Sequence, residues 1–475
     1  MYKKDFISYI NPAIFMAGLY LIYLLVLRSN PLYALIFALL PAIALGSASM
    51  FYKQMAFFAF FIINYFIAGV SRYIDMKTGV IMLALTLGLL VLVFLKNIFH
   101  PYEWKKSRNF LTILWLIWFI YCLFELFNPT AAPEAWNIAI NGYALFPLLC
   151  AILIPILFSR YKDFKWLLIL WAVLTLAACA KGYWQRNHGF DSAELRWLFV
   201  DGGARTHIIY WGIRYFSFFT DAANFGISMG LSIIIFGISA FYLRPLWLKL
   251  FFWSTAAIAF YGLLISGTRS AVIVPIVGMV VYLILCKNIR NLLIGTGLLT
   301  IGLLLLTQTN IGNSNPLIRR MRSTFDREDA SLQVRVINKR RMAPLLKERP
   351  FGIGIGLCGN RAARFGVDIP LSKIPPDSHL TAIWIETGIV GLSLYLTLLF
   401  ILLAKASYMA VFIIKSKQIR GILIAFIAGI SGVLVASYAN DLTTFPNGLL
   451  MGILYAFLVT IPHYDKQITN DIPIP

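Results

Sequence analysis

The chain has 475 residues, 60% of them hydrophobic and only 13% charged. A soluble domain carries roughly 25% charged residues, so this composition excludes a water-soluble enzyme, a disordered chain and a secreted disulfide scaffold. Forty-one Lys and Arg against 20 Asp and Glu give a formal charge of +21; in a membrane protein part of that excess sets orientation, and the rest suggests an anionic partner.

The apolar residues fall in runs long enough to cross a hydrocarbon layer of ~30 Å as helices. This predicts an all-α, polytopic transmembrane helical bundle of about 12–14 spans. Their approximate limits are 9–27, 31–46, 54–71, 78–95, 109–127, 138–158, 164–180, 218–241, 246–266, 270–286, 290–307, 386–413, 419–438 and 445–462. Pro31, Pro41 and Gly46 interrupt the earliest runs. The start of the chain, Met1-Tyr2-Lys3-Lys4, shows no cleavage site, so the first run reads as a retained span. The expected organisation is an N-terminal bundle at 1–307, a loop at 308–378 and C-terminal spans at 379–475. Five cysteines lie far apart, with no C-x-x-C and no clustered Cys/His pattern for zinc. They read as small buried hydrophobes.

Basic residues give the orientation. One set of span ends holds 18 of them: Lys3, Lys4, Lys53, Lys96, Lys105, Lys106, Arg108, Arg160, Lys162, Lys165, Arg244, Lys249, Lys287, Arg290, Lys415, Lys417, Arg420 and Lys466. The opposite short connections hold only Arg28, Arg72, Lys77 and Arg269. Both termini are therefore expected in the cytoplasm and both long connections, 181–217 and 308–385, outside. Segment 308–378 has ten Arg and three Lys against six acids, a net charge of +7. Such a segment suits an amphipathic helix on lipid headgroups, or an electrostatic funnel for a phosphorylated, membrane-borne substrate.

Three constellations could carry chemistry. The first is Arg214-Tyr215-Phe216-Ser217-Phe218-Phe219-Thr220-Asp221-Ala222-Ala223-Asn224. It sets a cation and an Asp–Asn pair at the outer mouth of a span, where polar residues are costly. Arg214 could instead snorkel to headgroups, and Asp221 could be an N-cap. The second is the tight turn Ser266-Gly267-Thr268-Arg269-Ser270-Ala271. It holds Arg269 at the surface, and a guanidinium suits bidentate phosphate binding. The third runs through Arg349-Pro350-Phe351-Gly352-Ile353-Gly354-Ile355-Gly356, then Pro375-Pro376-Asp377-Ser378-His379-Leu380, then Glu386-Thr387-Gly388-Ile389-Val390-Gly391. The glycine string lacks the strand-then-helix setting of a nucleotide fold and reads as a re-entrant loop packed on helices. Asp377 or Ser378 could cap the next helix. His379 titrates near neutrality and is a candidate proton acceptor.

The order of these motifs resembles the O-antigen ligase/polymerase superfamily over about residues 205–460. The resemblance implies a membrane glycosyltransferase of the C-type fold in a bacterial inner membrane, with its active site facing the periplasm. Its donor would be a glycan on undecaprenyl pyrophosphate. Its acceptor would be lipid A–core for a ligase, or another lipid-linked glycan for a polymerase. It also implies that Arg214 and Arg269 bind the pyrophosphate, with Asp221, Asn224, Arg319, Arg320 and Arg340 as further substrate-binding candidates. The family carries a catalytic histidine just before the last group of spans. Counting back eleven residues from Gly388 gives Asp377 instead, and His379 follows two residues later. Two residues are about 200° apart on a helix, so both face one site only if Asp377 still lies in the loop; either could be the base. Ala223 also stands where the family has a proline before the mouth asparagine.

The leaving group of such a reaction is already anionic, so cations rather than an acid assist its departure. No Asp-x-Asp stands in an outer loop, the nearest cluster being Asp326-Arg327-Glu328-Asp329. The reading therefore requires no metal and no cofactor, and its partners are lipid-linked glycans and membrane lipids, not nucleic acid. The rival from another class is a lipid-linked glycan transporter. It is disfavoured because no inverted repeat relates the halves and the polar residues gather at one surface.

Overall fold

A computed structural model describes residues 54–99, 102–209, 212–309, 319–320, 322, 330–376, 378–441 and 444–470. The spans expected at 9–27 and 31–46 lie outside the described residues, as does Asp377. The helices are α1 (Met55–Val70), α2 (Thr78–Phe99), α3 (Phe110–Phe124), α4 (Pro133–Ile140), α5 (Phe146–Leu157), α6 (Tyr161–His188), α7 (Ser192–Phe199), α8 (Ala222–Tyr242), α9 (Leu246–Ser266), α10 (Arg269–Leu285), α11 (Ile289–Gln308), α12 (Ala330–Lys347), α13 (His379–Tyr408), α14 (Lys417–Ala436), α15 (Asn447–Thr460) and α16 (Tyr464–Asn470). A two-residue hairpin, β1 (Ile208–Ile209) against β2 (Gly212–Ile213), is the only sheet among the described residues.

Nine helical segments among the described residues are long and apolar enough to cross a membrane, and three shorter apolar helices join them. The protein is thus an all-α polytopic bundle. Two limits differ from the sequence reading. Helix α6 runs to His188, because Lys181 and Gln185 find acidic partners beyond the apolar run: Lys181 lies 3.2 Å from the half-exposed Asp191 and 2.9 Å from the buried Glu194, and Gln185 donates to Glu194 at 2.8 Å. Helix α13 starts at His379 rather than near 386, because Ser378 caps it, its Oγ accepting from Thr381 N at 3.2 Å.

Contacts sort the helix ends into two faces. On one face Gln54 donates to Asp163 at 2.7 Å, Tyr464 to Phe158 O at 2.6 Å, and Asp465 accepts from Ser416 N at 2.8 Å. On the other, Arg72 reaches Ser217 O, Arg214 reaches Thr268, and Tyr121 reaches Thr387 O. The described residues of the 18-member basic set are at the ends that belong to the first face.

At the centre α8 packs on α9, α10 and α14. Small residues set the closeness. A Cβ on Gly230 of α8 would stand 2.9 Å from Ala271 O, and one on Gly226 would collide with Ser266 Oγ. This is the small-residue spacing by which membrane helices approach.

One span is broken, and the break organises the second face. Gly388, inside α13, has φ +64° and ψ −167°, a region open essentially to glycine. A straight helix would place residues 379 and 395 about 24 Å apart along its axis. Their rings instead lie 5.9 Å apart, so the chain bends sharply back at Gly388. The glycine string supplies partners for the freed backbone. Ile353 N donates to Ile385 O and Gly354 N to Glu386 O, each at 3.0 Å, while Val390 N donates to Pro350 O at 3.2 Å. Tyr121 Oη donates to Thr387 O at 2.9 Å and Cys358 N to Glu386 Oε1 at 3.0 Å. The string is a lock on a broken span. Gly388→Ala is expected to cost at least the ~1–3 kcal/mol of a strained backbone, because its Cβ would also meet Pro350 O. Gly88→Ala, in a helix with nothing within 4 Å, serves as control. Melting in detergent should fall for the first and hold for the second; equal melting would contradict the lock.

Candidate active site at the second face

The turn between α9 and α10 is built for closeness. Gly267 ends α9 in the left-handed region at φ +57°, the usual glycine stop, and Thr268 opens α10 one residue later. Thr268 Oγ1 donates to Ala222 O at 2.9 Å and accepts from Arg214 Nη2 at 2.8 Å. Arg214 also donates to Thr206 O at 2.9 Å and to Ser266 O at 3.4 Å. Three of its five N–H groups are therefore spent on positioning.

Arginines gather around this turn. Arg269 heads α10, and it and Arg335 of α12 lie near enough to Arg214 for their charges to act on it. Arg320 donates from Nε to Gly267 O. Burial pulls the Arg214 pKa below its ordinary value, Asp221 opposes this, and Arg269 and Arg335 add to it. The sequence reading named Arg214, Arg269 and Arg320, and the structure brings the three to one turn. Arg335 was not singled out, since nothing in its local sequence sets it apart from the other arginines of the basic loop. Arg319 and Arg340 are exposed.

Asp221 and Asn224 have the contacts of a capped helix start. Asp221 Oδ1 accepts from Ala223 N at 2.7 Å and Asn224 N at 2.9 Å, and its Oδ2 accepts from Asn224 Nδ2 at 2.8 Å. Asn447 Nδ2 donates to Asn224 Oδ1 at 2.9 Å. The remaining N–H, that of Ala222, is taken by His207 Nε2 at 3.0 Å, while His207 Nδ1 sits 2.9 Å from Gly203 O. One neutral tautomer, protonated at Nδ1, satisfies both contacts. The first three N–H groups of α8 are thus already occupied.

Arg72 braces the same region. It donates to Ser217 O and Thr220 O, each at 3.2 Å, and to Phe219 O. Its guanidinium lies 4.6 Å from the ring centre of Trp197 and 4.3 Å from that of Phe216. Burial lowers its pKa to about 10, with Glu194 and Asp221 among the acids that oppose the shift; it stays charged at neutral pH.

His379 starts α13 and lies 3.3 Å from Tyr395 Oη through Nε2. Its Nδ1 meets no hydrogen-bond partner among the described residues. It lines a pocket with Trp115, Tyr143, Tyr395, Met451 and Tyr455. Its backbone N–H donates to Asn440 O at 3.0 Å, and the Asn440 side chain donates to Ser270 Oγ. The connection between α14 and α15 therefore joins the arginine turn to the start of α13. The sequence reading passed over this connection. Its signal was the amide and hydroxyl run Asn440-Asp441-Leu442-Thr443-Thr444, set between two spans.

His207 carries a pH prediction. Burial, first of all, lowers its pKa from 6.5 to about 4; Arg214 and Arg72 add to this, while the Gly203 carbonyl and Asp221 oppose it. The unfolded chain then binds this proton more readily than the folded one. The associated stability is present above pH 6.5 and is lost as pH falls toward 4. His207→Gln keeps an acceptor but does not titrate, so its melting temperature should depend less on pH across that window. Parallel curves for the two proteins would contradict the cap role.

Residues 254–396 match the family model described as O-Antigen ligase. The matched segment runs from α9 through the arginine turn, α10, α11 and α12 to just past Gly391 in the broken span. Arg214, the cap of α8 and the α14–α15 connection lie outside it. No curated protein matches the chain. The match falls on the turn, the basic loop and the broken helix that the geometry singles out, and it supports the O-antigen ligase/polymerase superfamily for this membrane protein.

Proposed function

We propose that the chain is a membrane glycosyltransferase that moves a glycan from undecaprenyl pyrophosphate onto a hydroxyl of lipid A–core, in the manner of an O-antigen ligase. The observation that carries this reading is the gathering of Arg214, Arg269, Arg320 and Arg335 at one turn, tied through Asn440 to the start of α13. A pyrophosphate placed there meets several guanidinium groups. These can neutralise the charge that grows as the bond to the anomeric carbon breaks. An acceptor hydroxyl attacks that carbon, its proton passes to a base, and the lipid pyrophosphate leaves. Asp377 and His379 are the two candidates for the base. The free Nδ1 lone pair of a His379 that donates Nε2–H to Tyr395 is suited to the task. The reading places this face in the periplasm and both termini in the cytoplasm of a bacterial inner membrane.

The clamp is tested by Arg269→Lys, which keeps the charge but loses the fork. A lost charge-assisted contact costs on the order of 1.5–3 kcal/mol, so transfer by purified protein should fall about tenfold to a hundredfold while folding survives. Wild-type transfer by both Arg269→Lys and Arg269→Ala would refute the clamp. The base is tested by Asp377→Asn and His379→Ala. Loss of transfer with undecaprenyl pyrophosphate binding retained should follow one of them. Full activity of both would remove the base from this locus.

A polymerase of the same superfamily is the second reading, because its donor site has the same chemistry. The glycan profile of a deletion strain separates the two: a ligase leaves lipid-linked polymer unattached, and a polymerase leaves no polymer. Orientation is tested with Ser314→Cys in a cysteine-free background. An impermeant maleimide should label it in cells with a permeable outer membrane; labelling only after lysis of the inner membrane would reverse the orientation.

A further inference from the structure

Three segments far apart in sequence meet at one residue of the α14–α15 connection. Asn440 is 9% exposed. Its Nδ2 donates to Ser270 Oγ and, at 3.4 Å, to Ala436 O, the last residue of α14. Its backbone carbonyl accepts from His379 N at 3.0 Å. Ser270 is the neighbour of Arg269 in the first turn of α10, and His379 is the first residue of α13. The next residue, Asp441, uses its carbonyl to accept from Asn224 Nδ2 at 3.4 Å. Asn447 closes the same connection onto α8, donating to Asn224 O at 2.8 Å and to Asn224 Oδ1. The connection is therefore anchored on α8, α10 and α13 together.

That anchoring has a geometric consequence. The start of α13 belongs to the short arm that the break at Gly388 folds back on the rest of the span. The bonds at 353, 354 and 390 hold the far end of this arm. At its near end, the hydrogen bond from His379 N to Asn440 O joins it to the α14–α15 connection. The Asn440 side chain then carries the link to the turn that bears Arg269. Of the bonds described, those of Asn440 are the ones that join the turn bearing Arg269 to His379.

We propose that Asn440 is a positioning residue: with Ser270 it sets the reach between the pyrophosphate-binding turn and the base at the start of α13. This rests on the proposed transfer reaction. It does not depend on whether Asp377 or His379 is the base, because both are within three residues of the bridged position. The link acts on how the acceptor hydroxyl meets the bound donor, not on how tightly the donor is held. Misplacement by about 1 Å in such a geometry can lower a rate about a hundredfold.

The test uses the full chain in proteoliposomes, with lipid-linked glycan isolated from a deletion strain as donor. Binding of glycan-free undecaprenyl pyrophosphate is measured separately. Asn440→Ala and Ser270→Ala should each lower kcat about tenfold to a hundredfold. Their affinity for undecaprenyl pyrophosphate should stay within about twofold of wild type. The double variant should be no worse than the poorer single one, because both remove the same bond. Ser270→Thr, which keeps the hydroxyl, should restore turnover. Unchanged kcat in both alanine variants overturns the proposal. So does a fall of lipid binding and melting temperature in step with kcat, which is the mark of a merely structural residue. Arg269→Ala in the same assay should lose lipid binding. A wild-type protein that neither binds undecaprenyl pyrophosphate nor transfers glycan overturns the proposed function, and the bridge with it; an active wild type with active Asn440→Ala overturns the bridge alone.

Discussion

Hydrocarbon offers no hydrogen-bond partner, so every backbone group freed near the bilayer must be satisfied from within the protein. The second face of this protein is shaped by that constraint. The break at Gly388 frees the carbonyls of Ile385, Glu386 and Thr387, and Ile353, Gly354 and Tyr121 take them. The start of α8 exposes three N–H groups, and Asp221 and His207 take those. Remove these partners and neither the folded-back arm of α13 nor the mouth of α8 would hold its place. The arginine turn is bonded directly to the mouth of α8 through Thr268 and is joined to the start of α13 through Asn440.

Charge follows from the same economy. Arg72 and Arg214 are held by carbonyl oxygens and a hydroxyl, which fix the guanidinium groups without cancelling them. Arg214 is left beside Arg269 and Arg335, and like charges gathered in a partly buried place repel. An anion bound among them relieves that repulsion. This physical argument leads from the turn to a bound anion without help from the family match; that the anion is a pyrophosphate belongs to the proposed function.

Much of this was legible in sequence, for identifiable reasons. Span positions could be read because each must be apolar over about 18 residues, and every expected span on the described residues is a helix. The tight turn was legible because Gly267 stands between small polar residues at a span end. The glycine string was read as a loop packed on helices, and Gly352 packs against the backbone of Glu386 and Gly356 against that of Ala135 in α4. What sequence hid depends on distant partners. Nothing local in Glu386-Thr387-Gly388 says that the span folds back; that depends on a strand of backbone 33 or so residues earlier in the chain. The cap role of His207 depends on Ala222, and the bridge at Asn440 on Ser270 and His379. Arg335 differs from its neighbours on α12 only in what the fold sets opposite it.

The central claim is that a lipid pyrophosphate binds at the α9–α10 turn on the second face. The most direct measurement is photocrosslinking of a polyprenyl pyrophosphate that carries a photoreactive group next to the pyrophosphate. The adducts are then mapped by mass spectrometry on the protein in membranes. The account predicts adducts within the peptides that contain Arg214 and Ser266–Ala271, competed away by undecaprenyl pyrophosphate. Competed adducts confined to the first face, around Lys105–Arg108 or Lys415–Arg420, would contradict it.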